Sequence, residues 1–243
     1  MRPLVKLFLM HLIGNAALLG LAYYWLSVGE SSTSMLALSI AILVIFFGGA
    51  VWLHGSALAY FRSGRGELRQ SLSAGVRHLP PLLLFAIVTF AIDMSLGAWD
   101  PSSLLLSIAS FFTMTFQKPV RPQILLRIWE VILWLLRWCV LPVILLPLAA
   151  AIAQWSGFGE FGAQIRNWKH WLLIPALLLV GIWLPLRLVA WVPIKGTFSA
   201  ELISFVLRFA AGYLLFVAGC LAVAFVTSRG RPALSQPSTV PSP

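Results

Sequence analysis

Acidic side chains are scarce in this chain: seven Asp and Glu stand against 17 Lys and Arg in 243 residues. Charge of either sign makes up only 10% of the sequence, against about 25% in a typical soluble domain. So little polar surface would leave broad apolar patches facing water, which excludes an ordinary soluble globular domain. Cysteine is rarer still. Cys139 and Cys220 both lie inside apolar runs, outside any CxxC motif or Cys/His cluster. That spacing excludes a cysteine-based metal site and leaves two thiols packing as small hydrophobes. There is no GxSxG segment, no HExxH, no Walker or dinucleotide-binding glycine loop and no pair of acids on one helix. The four histidines are scattered, and no nucleophile–base pair or metal set can be assembled. The chain therefore reads as non-enzymatic, with no cofactor expected.

What the sequence has is apolar length. Hydrophobic residues make up 60% of it, and the mean hydropathy is +0.94. About 20 consecutive apolar residues cross a bilayer as a helix. Five segments meet that length: Leu4–Val28, Met35–Phe61, Leu79–Trp99, Trp171–Val192 and Glu201–Thr227. A sixth ends near Trp155 and begins between Ile124 and Trp138. Leu7–Val28 is longer than a signal-peptide core, and no A-x-A site follows it, so it reads as a retained first span. Trp25, Trp99, Trp155, Trp171 and Trp191 fall near segment ends, as an interfacial aromatic belt would place them.

The stretch Ser102–Phe116 is apolar but only 15 residues long and dotted with Ser and Thr. It reads as a short interfacial or re-entrant helix, stopped by the prolines of "KPVRP". The expected fold is all-α: a polytopic bundle of six spans plus this short helix, with seven spans as the alternative. Counting basic residues does not separate the two, because either threading puts ten Lys and Arg on the cytoplasmic side and four outside. The side on which Lys118 lies does separate them. In both models the N-terminus is cytoplasmic, and so is Arg62–His78, a basic segment able to form a surface helix. Residues 1–227 form one transmembrane domain. Residues 228–243, rich in Pro and Ser, are expected to be disordered.

The net charge of +10 points to membrane topology and anionic headgroups rather than nucleic acid, since the basic residues flank apolar segments. "RHLPPLLLFAIV" and "KHWLLIPALLLV" echo each other: a basic residue and His, an early proline, then a leucine run. Three hairpins entering from one basic side would produce that pattern, as would chance among leucine-rich helices. The loop ending "HLPPLLL", followed by "LPLRLVAWVPIKG" and "ELISFVLRFAAGYLL", resembles the layout of uncharacterised six-helix bacterial inner-membrane proteins. The resemblance implies a bacterial plasma-membrane location and carries no catalytic residues.

A few polar groups fall at membrane depth. Asp93 stands in "FAIVTFAIDMSLGAW", and Arg137, Arg187 and Arg208 lie in or beside apolar runs. A bare carboxylate is costly in hydrocarbon, so Asp93 needs a cation; Arg187 is the first choice by depth and Arg137 the second. Glu201 and Arg208 are two helical turns apart on one face. These groups line an ion or substrate path, or else pair and snorkel as structural elements. His11 and His54 sit at matching depths on two antiparallel helices. They can ligate a haem or metal, or bond to Asn15, Ser56 or a carbonyl.

The resulting functional reading is a non-enzymatic, transporter-like or accessory membrane subunit handling lipid or a small solute. Its partners would be membrane lipids, including anionic headgroups at the cytoplasmic face, and another membrane protein. The alternatives are a purely structural subunit and an intramembrane enzyme. A transporter should show a solvated cavity reaching Asp93 or an arginine. An enzyme needs two polar groups within hydrogen-bond reach.

Overall fold

In the computed structural model, residues 3–29, 31–63, 67–117, 121–153, 158–192 and 197–228 are described, the side chains of 158–160 excepted. All secondary structure among them is helical. The helices are α1 (Pro3–Ser27), α2 (Thr33–Arg62), α3 (Leu68–Arg77), α4 (Leu79–Ala98), α5 (Ser102–Phe116), α6 (Pro122–Ile152), α7 (Phe158–Arg166), α8 (Trp168–Ala190) and α9 (Phe198–Ser228). Six of them, α1, α2, α4, α6, α8 and α9, are long and apolar enough to cross a membrane. The chain is an all-α helical bundle and a multi-pass membrane protein.

The fifth helix is the exception in length. Its 15 residues extend about 22 Å, short of a hydrocarbon core of roughly 30 Å. The Asp100 carboxylate opens it, accepting from the Ser102 backbone N–H at 2.9 Å and the Ser102 hydroxyl at 3.0 Å. Those two bonds hold the Asp100 carboxyl below the ordinary carboxylate range. Gln117 closes the helix in a left-handed conformation, φ 51°. Lys118, on which the choice between six and seven spans turns, lies outside the described residues. So do Trp155 and residues 229–243 of the proposed tail. Ser228, assigned to that tail from sequence, is instead the last residue of α9, where its hydroxyl donates to the Leu58 carbonyl at 3.2 Å.

The spanning helices form three antiparallel hairpins, α1–α2, α4–α6 and α8–α9, each entering from the same end of the bundle. That end also carries the short helices α3 and α7. It holds Lys6, Arg62, Arg69, Arg77, Arg166 and Lys169, whereas Arg121 lies at the opposite end and Arg127 on the part of α6 nearest to it. The two echoing stretches both begin spans here, one at α4 and the other at α8.

Burial is uneven along the bundle. One core cluster joins Ala57 and Leu58 of α2, Leu82 of α4, Ala150 and Ala153 at the end of α6, and Ala224 of α9. A second joins Val143, Ile174 and Val223. Both lie in the half nearer the basic end. Toward the far end α6 buries no residue from Pro122 to Leu135, and α4 buries only Leu82. The far ends of two helices also overrun their neighbours. Trp99, just past α4, meets Trp129 edge-on at 5.0 Å, so α6 continues two turns beyond α4. Arg208 bonds to the last turn of α8, so α9 continues about three turns beyond α8. At 31 residues, α6 and α9 each run about 46 Å.

Two spans carry a widened turn. In α6 the Leu141 N–H donates to Leu136, five residues back, and in α8 the Leu184 N–H donates to Leu179 in the same way. Each π turn is followed by a proline, Pro142 or Pro185, in the pattern "LRWCVLP" and "LVGIWLP". A proline inside a helix clashes with the carbonyl four residues back and offers it no N–H; opening one turn relieves that clash without breaking the helix.

Candidate functional site

Asp93 lies in the loosely packed half, on the face of α4 that turns toward α6. Its carboxylate accepts two parallel hydrogen bonds from Arg137, at 2.6 Å from Nε and 2.5 Å from Nη2. Arg137 belongs to the π turn of α6, and its guanidinium also lies against Gly97, one turn beyond Asp93. The partner is thus Arg137 and not Arg187, the first choice by depth. Depth ranks residues along the membrane normal, whereas pairing also requires adjacent helices, and α4 packs mainly against α2, α3 and α6. Arg187 is exposed and stacks its guanidinium 5.2 Å over its own helix's Trp183.

Arg208 ends α8. It donates through Nη1 to the carbonyls of Leu188, at 3.1 Å, and Trp191, and through Nε to Ser204 at 3.1 Å. The last carbonyls of a helix have no N–H partner within it, and the macrodipole makes that end negative, so a cation is well placed there. Arg208 also lies 5.2 Å over the Trp191 ring. Glu201 occupies the first turn of α9, where a negative charge suits the dipole; the Arg208 donors turn to backbone oxygens.

His11 is completely buried between α1 and α2. Nδ1 lies 3.1 Å from the Leu7 carbonyl and Nε2 lies 3.1 Å from the Leu53 carbonyl. Both ring nitrogens thus face oxygens, and neither is directed at a ligand site. Asn15 donates to the His11 carbonyl at 2.8 Å and Ser56 to the Trp52 carbonyl at 2.7 Å. The His54 ring lies 5.9 Å from that of His11, tilted by 55°. Among the described residues no three His, Cys, Asp or Glu side chains group together as metal ligands.

Two cavities open between the spanning helices. A groove of about 470 Å³ runs between Leu4, Val5 and Phe8 of α1, Phe61 of α2, and Leu221 and Phe225 of α9. On the other side of α9, a cavity of about 310 Å³ is lined by His54, Leu178, Ile182, Phe216, Cys220 and neighbouring aliphatic residues. Asp93 and the arginines line neither. Beside the second cavity α8 and α9 cross with backbones in contact: a Cβ on Gly219 would fall 2.5 Å from the Gly181 Cα. This crossing and the π turns were missed in the sequence; the L-x4-L-P pattern accompanies both turns but recurs at Leu141–Pro147, where the helix stays regular.

The chain matches no known family model, and neither a curated protein nor a solved structure proves similar to it.

Proposed function

We propose that the protein is a non-enzymatic accessory subunit of a bacterial plasma membrane that handles lipid. The observation carrying this reading is the chemistry of the cavities. Both open between the spanning helices, are walled almost wholly by aliphatic and aromatic side chains, and are of a size that takes a hydrocarbon chain. A polar solute would find few hydrogen-bonding groups on these walls, His54 and Cys220 of the second cavity, and Asp93, Arg137 and Arg208 are engaged with one another or with backbone carbonyls. At the basic end of the α1–α9 groove, Lys6 and Arg62 supply positive charge where an anionic headgroup would lie. The overrunning ends of α6 and α9, with exposed Phe198, Ile203 and Leu207, suit a membrane-protein partner. The location follows the layout resemblance.

Added diacyl phospholipid is expected to raise the unfolding temperature of the detergent-solubilised protein. Ala222→Trp, which fills the α1–α9 groove, should abolish much of the gain. A protein indifferent to phospholipid would overturn the reading.

In this reading the basic end is cytoplasmic, since Lys and Arg gather in cytoplasmic segments. In a background lacking both native cysteines, Ser73→Cys is expected to react only from the cytoplasmic side and Gln117→Cys only from the opposite side. Reaction of both from one side would mean that α5 crosses, giving seven spans.

A further inference from the structure

A third cavity differs from the other two in the chemistry of its walls. It measures about 280 Å³ and sits at the basic end, between α7, the first turn of α8 and the last turn of α9. Gln164, Asn167, Lys169 and His170 line it together with Leu173 and Val226. Two of these side chains hold buried polar atoms that no protein group satisfies, Gln164 Oε1 and His170 Nε2. Each is fixed by its other end. Gln164 Nε2 donates to the Thr227 carbonyl at 2.7 Å, and the Val143 carbonyl faces the His170 imidazole. His170 is only 4% exposed, so its orphan nitrogen is buried well beyond nine-tenths. An imidazole donating at one nitrogen has only a lone pair at the other, and an amide oxygen only accepts. Both unmet groups are therefore acceptors, and an unmet buried acceptor is costly enough that its partner is worth seeking.

The same cavity offers the opposite chemistry beside these acceptors. Lys169 brings a positive charge, and α8 begins here, with Asn167 capping it by accepting from the Lys169 N–H at 3.1 Å. A helix N-terminus beside a lysine favours an anion. Leu173 and Val226 supply an apolar wall toward the bundle. The ligand complementary to all three features has N–H donors, a phosphate a few bonds away and a hydrocarbon body.

We propose that this cavity binds the headgroup of an ethanolamine phospholipid. The ammonium donates to His170 Nε2 and Gln164 Oε1. The phosphate faces Lys169 and the start of α8, and the acyl chains run along the apolar wall. The proposal rests on the lipid-handling reading and adds the headgroup that it selects.

The test compares phospholipids with identical acyl chains in their effect on the purified full-length protein. Phosphatidylethanolamine and phosphatidylcholine share the phosphate, but the choline nitrogen has no N–H. Phosphatidylethanolamine is expected to bind about tenfold more tightly, the scale of one charge-assisted hydrogen bond. Its addition should move the ¹⁵N resonance of His170 Nε2, and phosphatidylcholine should leave that resonance in place. Gln164→Leu should remove most of the preference. Lys169→Gln, on an exposed residue, should weaken both lipids alike. Soluble phosphoethanolamine should reproduce the ¹⁵N shift weakly, because it lacks the chains. Equal binding of the two lipids overturns the proposal, as does equal binding of phosphatidylglycerol, whose hydroxyls would then be the donors. Strong binding of phosphoethanolamine alone would replace the lipid with a soluble metabolite and overturn it too. If every phospholipid stabilises the protein equally, and Ala222→Trp abolishes that effect, this site fails while the lipid-handling reading stands. If none does, the reading fails first.

Discussion

Asp93→Asn is expected to lower the stability of the folded bundle by about 2 kcal/mol, the scale of hydrogen bonds to a charged group. The substitution leaves the Arg137 guanidinium facing a neutral amide. Arg137→Gln should cost a comparable amount from the other side. The double variant should be less destabilised than the sum of the two, because neither charge is then left alone. Thermal unfolding of the four proteins in one detergent measures this coupling. Additive losses, or singles as stable as the parent, would show that the ion pair does not hold α4 to α6. The expectation has a structural basis: α4 buries little else in its second half, so the pair is a principal tie between the two helices there.

Gly219→Val is expected to have the largest effect on folding. Its Cβ would arrive 2.5 Å from the Gly181 Cα, and both atoms belong to helix backbones that cannot swing aside as a side chain can. Overpacking a core costs about 1–3 kcal/mol when side chains adjust, and separating two helix axes should cost more. Small residues are what let membrane helices approach this closely. The recovered fraction of monodisperse protein should fall sharply, whereas Gly20→Val, at a glycine with open space around it, should leave it unchanged. Equal recovery of the two variants would mean that the α8–α9 crossing tolerates separation.

The number and approximate limits of the spans were legible because they depend on length and hydropathy, which are local. Met35–Phe61 lies within α2, and Glu201–Thr227 within α9. The start of α6 was less legible. Pro122, the second proline of "KPVRP", begins the helix, since proline is tolerated in a first helical turn; a segment that stops one helix thereby hides the start of the next. The need of Asp93 for a cation was also legible, being a matter of one side chain and its solvent. Which cation was not. Arg137 reaches Asp93 because α6 packs beside α4.

Composition alone determined that this chain belongs in a membrane: 10% charge and 60% hydrophobic residues leave no soluble alternative. Residue pattern determined that it crosses as helices, because lipid leaves backbone groups to satisfy themselves. Tertiary structure decided the rest. It turned both His11 nitrogens onto carbonyls, brought the α8 and α9 backbones together at Gly181 and Gly219, and gathered Gln164, Lys169, His170 and Val226 around one cavity. Those outcomes depend on which faces of which helices meet. Hydropathy reports how deep a residue lies, and a bundle of nearly uniform apolar helices records little of its neighbours in that pattern.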